Sequence, residues 1–129
     1  MGDYTPVVTG GAVPWTSTTS GAVTGGTLAV WSGSGTVATA GAASTIVAGV
    51  FAHDAASGAK VSVWPLEGVI HEIVSANNIS AGGGIQSAAS GQVDPVATSI
   101  AAGSAAGTLI GTAVTGATAP AKVRFQGRR

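Results

Sequence analysis

From residue 21 onwards the chain sustains no secondary-structure signal for long. β-Prone runs of four to seven residues stand at 27–31, 36–39, 46–52, 60–64, 68–74, 84–87, 109–115 and 121–125. Glycine-rich turns such as Ser32-Gly33-Ser34-Gly35 and Gly82-Gly83-Gly84 punctuate them. Val, Ile and Thr suit a pleated strand, and glycine supplies the positive φ of tight turns. The run 60–64 alternates strictly, with Val61 and Val63 on one face and Lys60, Ser62 and Trp64 on the other. No window carries the 3.6-residue apolar spacing of an amphipathic helix. Residues 95–106 are rich in Ala, but Thr98, Ser99, Gly103 and Ser104 interrupt them and at most a short helical turn is expected. The expectation is an all-β domain with helix nearly absent.

A weak internal repeat points the same way. Ala59-Lys60-Val61-Ser62-Val63 is echoed by Ala121-Lys122-Val123-Arg124-Phe125, 62 positions later. Ile46-Val47-Ala48-Gly49 is echoed by Leu109-Ile110-Gly111, Gly35-Thr36-Val37 by Gly91-Gln92-Val93, and Leu66-Glu67-Gly68 loosely by Gln126-Gly127. The order is the same in both halves. Two copies are too few for a solenoid and suit a small barrel, or a bent ribbon, of two similar β-halves.

Composition narrows the function. Ala, Gly, Val, Thr and Ser supply 90 of the 129 residues, and only 8% are charged. A hydrophobic fraction of 45% argues against disorder of the whole chain. Five acidic and five basic residues cancel, so no net field draws in nucleic acid or an anionic membrane. Without Cys there are no disulfides, thiolate metal sites or thiol nucleophiles. The uncharged stretch 95–121 holds Gly103, Gly107 and Gly111 at four-residue spacing, yet its few large aliphatics fall short of a membrane span. Residues 1–6 show no signal-peptide pattern, and Pro6 stands where a myristoylation signal wants Ser or Thr.

Residues 1–20 read as an extended arm and residues 21–129 as a single β-rich domain. Pro6 and Pro14 disfavour helix, and Gly10-Gly11 interrupts the strand-like Val7-Val8-Thr9. Such an arm is loose or docks on something else, and its removal is expected to leave the domain folded.

Candidate chemistry is sparse. His53-Asp54 and His71-Glu72 each pair a base with a carboxylate, but adjacent strand residues point to opposite faces. A Zn2+ site from the two His would need further ligands from Asp54, Glu67, Glu72 or Asp94, and no spacing supports it. No enzyme, metal or cofactor is expected. Lys122, Arg124, Arg128 and Arg129 cluster at the end and read mainly as a solvated strand face and tail. The aromatic residues are the better clue. An outward Trp64 marks either an interface or packing under a loop, and Trp15 on the arm favours partner contact. The candidate partner or subunit interface is Tyr4, Val7, Val8, Trp15 and Trp64.

Several strings, taken in order, carry a resemblance. Gly21-Ala22-Val23-Thr24-Gly25-Gly26-Thr27-Leu28-Ala29-Val30 and Val47-Ala48-Gly49-Val50-Phe51-Ala52-His53-Asp54-Ala55-Ala56-Ser57-Gly58 come first. Gly68-Val69, Ser80-Ala81-Gly82-Gly83, Ala88-Ala89-Ser90-Gly91-Gln92-Val93, Ile110-Gly111-Thr112-Ala113 and Lys122-Val123-Arg124-Phe125 follow. Together they resemble the small tailed-bacteriophage capsid decoration, or cement, proteins over roughly residues 21–126, with a longer loop at 97–108. The resemblance implies a β-tulip or β-clip-like barrel of short antiparallel strands, as in the lambda-like head decoration proteins. It implies a homotrimer on the outer capsid surface of the virion, at threefold or quasi-threefold sites, bound to the major capsid protein and stabilising the shell. Other readings are a different phage structural component, such as a head fibre base or tail protein, or a small ligand-binding β module.

Overall fold

The computed structural model describes residues 3–96 and 100–128. It is all-β apart from one short helix and a 3-10 turn. Strands β1 (Trp15–Thr19), β2 (Leu28–Gly33), β3 (Thr36–Thr39), β4 (Val47–Phe51) and β5 (Lys60–Trp64) close into a barrel in the order β1-β3-β2-β4-β5. Strands β6 (Ile70–Val74), β7 (Gly84–Ser87), β8 (Val93–Pro95), β9 (Gly111–Ala113) and β10 (Lys122–Gly127) form a five-stranded sheet in the order β6-β10-β9-β7-β8. Ladder pairing is antiparallel except between β1 and β3.

The two sheets are the same unit built twice. In the first, β1 pairs with β5 at Trp15 and Val63; in the second, β6 pairs with β10 at His71 and Phe125. Leu28 faces Val50 as Gly84 faces Thr112, and Phe51 faces Val63 as Ala113 faces Phe125. The parallel closure of the barrel at Thr19 and Val37 is matched by a single parallel bridge between Ser75 and Val93, which links the ends of the second sheet. The correspondence runs 56 positions apart up to β3 and 62 from β4 onward. The extra six residues fall between β8 and β9, where α1 (Ile100–Ala106) lies. At about two turns this helix exceeds the single turn expected there, and it occupies the loop that the sequence marked as long. Three of the four repeat echoes fit this alignment. The loose fourth does not, because Gln126 stands opposite Thr112 where Trp64 stands opposite Val50.

Each unit encloses its own apolar interior from equivalent positions. Val23, Ala29, Val37, Phe51, Val61 and Val63 fill the first. Ile79, Ile85, Val93, Ala113, Val123 and Phe125 fill the second. Each interior holds one phenyl ring, carried on β4 in the first and on β10 in the second. Large and small residues are exchanged across the same space, so the volume is filled both times without a clash. Leu28, Ala40, Val47 and Val50 from the first unit join Leu66, Ile73 and Ile110 in a core continuous with the second interior.

The arm assignment needs correcting. Residues 15–19 are not an appendage: they are β1, paired with β5 through Trp15–Val63, Thr16–Ser62, Ser17–Val61 and Thr18–Lys60. The pattern was obscured because Thr16-Ser17-Thr18-Thr19 lacks large apolar side chains. Ser17 and Thr19 are nevertheless buried, and their hydroxyls donate to the carbonyls of Gly35 and Ala56 at 2.8 and 2.6 Å. A hydroxyl that satisfies itself on nearby backbone substitutes for a small apolar side chain inside a narrow barrel.

Candidate functional site

Two surface features gather the aromatic residues. The first is the docking place of the segment before β1. Tyr4 N–H donates to Ala52 O, Val7 and Val8 N–H to Ile70 O, and Ile70 N–H returns to Val8 O, forming an isolated antiparallel bridge at the β6 edge. The Tyr4 hydroxyl accepts from Glu72 N–H at 3.1 Å and donates to His71 Nδ1 at 2.9 Å. That fixes the proton of His71 on Nε2, which donates to Pro65 O at 2.8 Å. The Tyr4 and His71 rings stack at 5.9 Å, and Phe125 lies beneath at 5.8 Å. Burial pushes the His71 imidazole down to about 4, against the opposing pull of the Pro65 carbonyl. Burial likewise raises the Tyr4 phenol, so it stays protonated. Trp64 packs here too, its Nε1–H donating to Tyr4 O at 3.3 Å. The arm therefore docks on its own domain, and Trp64 is half-buried under it.

The second feature is a stacked indole pair. Trp15 and Trp31 lie with ring centroids 5.1 Å apart and 14° between planes. Trp31 is 43% exposed, and Ile46, whose carbonyl accepts from Trp31 N–H, is 51% exposed. Val13, just before β1, is also exposed. Of the five residues predicted as interface, Tyr4, Val7, Val8 and Trp64 gather at the arm, with Val7 and Val8 outward, while Trp15 belongs to this separate patch. Trp31 and Ile46 share this exposed patch without having been singled out from the sequence. The available signal was position: Trp31 ends an apolar run immediately before a Ser-Gly-Ser-Gly hairpin tip, where side chains leave the core.

Neither feature is arranged for catalysis. His71 is buried with both ring nitrogens engaged, so it cannot take a proton from a bound molecule. His53 is tied to backbone on both sides, to Asp54 O and Ser62 N–H. Asp54 accepts from Gly25 N–H, Asp94 from the Asn77 amide, and Glu72 pairs with Arg124 at 3.1 Å. Among the described residues no group of three or more His, Asp and Glu could hold a metal, and no helix is long and apolar enough to cross a membrane. Of the basic C-terminal cluster, Lys122 and Arg124 line the exposed face of β10, and Arg129 lies outside the described residues.

No protein-family model matches the chain, and no curated protein does. A solved structure is similar: the head fiber gp8.5 N base of bacteriophage phi29, with a TM-score of 0.64 and 18% identity over 92% of this chain and 98% of that one. The two chains share a fold along essentially their whole lengths.

Proposed function

We propose that this chain is a non-enzymatic structural protein of a tailed-phage virion, of the head-fibre-base kind, seated on the outer face of the head. The observation that carries the reading is the full-length fold match to the phi29 head fiber base. A match that leaves almost nothing over on either side favours the same kind of building block. The low charge, the absence of a catalytic constellation among the described residues and the partly exposed indole pair fit a protein that works by contact. The finer reading is a homotrimer bound to the major capsid protein at threefold or quasi-threefold positions. Support for it comes from the ordered resemblance to capsid decoration proteins, and the β-tulip identity and shell-stabilising cement role rest on that same resemblance.

The test is quantitative mass spectrometry of purified heads of the encoding phage, with a cryo-electron density map. The expected result is the chain in the head fraction, at a copy number comparable with the capsid protein, and density on threefold positions. Absence from the particle overturns the virion reading; presence as isolated monomers overturns the trimer.

A further inference from the structure

Residues 3–9 are held by a small set of contacts, and one buried imidazole stands at their centre. Backbone bonds attach the segment at Tyr4, Val7 and Val8, and the Trp64 indole donates to Tyr4 O. The side chains add a single line of hydrogen bonds through His71. Pro65 O can only accept, so the Nε2 facing it carries the ring proton, and the neutral ring offers Nδ1 as an acceptor. The Tyr4 hydroxyl then donates to Nδ1 and accepts from Glu72 N–H. Every proton in this line is committed, and the line runs one way, from Glu72 through Tyr4 and His71 to Pro65.

A second proton on the ring reverses one link. Placed on Nδ1, it points at the Tyr4 oxygen, which already accepts from Glu72, and the hydroxyl proton loses its acceptor. The cation would also stand out of reach of water, since His71 is fully buried against the Tyr4 and Phe125 rings. The charged groups of the elements packed on it do not compensate. Asp3 on the arm and Glu67 on the 65–68 turn are exposed, and Glu72, Lys122 and Arg124 stand on the opposite face of β6 and β10. Undocking Tyr4 opens Nδ1 to water, so the released arm tolerates the cation and the docked arm does not. The segment can leave without opening the barrel. Gly10 and Gly11, both at positive φ, and Pro14 separate it from β1, whose pairing with β5 starts at Trp15.

We propose that His71 is the trigger of an acid-released latch: a proton taken up at Nδ1 frees residues 3–9 from β6 and uncovers Trp64, while β1 and both units stay folded. The device is independent of the virion reading. The titration of the ring agrees with the geometry, because burial with the arm docked lowers the imidazole from 6.5 to about 4. Release restores the ordinary value, so docking is strongest above about pH 6.5 and weakens by about twentyfold between pH 7 and pH 5.

The test is amide hydrogen exchange of the full-length chain, followed by nuclear magnetic resonance at pH 7 and pH 5 and corrected for the intrinsic pH dependence of exchange. The amides of Tyr4, Val7, Val8 and Ile70, which hold the arm, should lose protection by about twentyfold. The barrel amides of Thr19 and Phe51 should keep theirs. Unchanged protection of the arm overturns the proposal. An equal loss in the barrel overturns it too, because acid then loosens the whole fold and not a latch. In His71→Gln the arm should be equally protected at both pH values, and a loss like the parent's assigns the trigger to another group. Should that variant fail to fold, the parent's own ring decides. The His71 Cε1–H resonance should titrate well below 6.5 and move together with the arm resonances, and titration at the ordinary value with the arm still docked overturns the latch.

Discussion

Gly49 and Gly111 show how far one residue type can be dictated by a neighbouring strand. They are equivalent, on β4 and β9, and a Cβ on either would collide with backbone: the carbonyl oxygen of Trp64 for Gly49 and that of Gln126 for Gly111. Neither has positive φ. The demand is for space, because β4 and β9 are crossed closely by β5 and β10. We expect Gly49→Ala and Gly111→Ala each to destabilise the chain by about 1–3 kcal/mol, measured by urea unfolding. Gly58→Ala, with open space around it but positive φ, separates the space effect from the conformational one. His71 gives a second prediction. Its imidazole is neutral in the fold, with a value lowered from 6.5 to about 4, so the unfolded chain binds more protons between these values. Stability is therefore fully present above about pH 6.5 and falls as the pH drops towards 4, by up to about 3 kcal/mol. The titratable group facing it is Tyr4 from the arm; the Glu72–Arg124 pair stands on the opposite face of the sheet. Denaturant midpoints across pH 4–7 should show this slope in the parent and a shallower one in His71→Gln.

At the scale of elements, the segment before residue 21 divides in two. Residues 3–13 attach through Tyr4 and the Val8–Ile70 bridge, while residues 15–19 close the first barrel. Deleting residues 1–13 should leave a cooperative but weaker fold, exposing His71 and Trp64. Deleting residues 1–20 should abolish the native thermal transition, since it leaves β3 and β5 with unpaired edges. Circular dichroism melts and tryptophan emission distinguish the outcomes. Phe51 and Phe125 make a matching pair: each is the phenyl ring of its unit's apolar interior. Replacing either by Ala should cost about 3–5 kcal/mol, because Ala113 and Val63, at the positions that carry the ring in the other unit, are too small to refill the space.

For the whole molecule, the two units are too small and too joined to behave as independent domains. Leu28 and Val50 of the first are fully buried in the same cluster as Ile110 and Val123 of the second. We expect one two-state transition, with calorimetric and van't Hoff enthalpies equal, and residues 67–129 expressed alone to fail to fold. Two separate transitions would show the halves to be energetically independent. The far-ultraviolet spectrum should be dominated by strand, with seven helical residues contributing little.

Strand runs, turns and the doubled pattern were readable because they are local: alternation along 60–64, glycine at the turns and the Lys-Val-x-hydrophobic echo all lie within a few residues of chain. β1 was not readable, since its inward Ser17 and Thr19 look polar until their hydroxyls meet Gly35 and Ala56 from distant loops. The roles of the aromatic residues were decided by tertiary contact in the same way. Trp64, alternating outward in its strand, is covered by an arm sixty residues earlier; Trp31, at the end of an apolar run, is left out in water beside Trp15. Periodicity reports which face of its own strand a side chain occupies. Whether that face is then covered depends on which remote segment lies across it, and only the folded arrangement of the two units determined that.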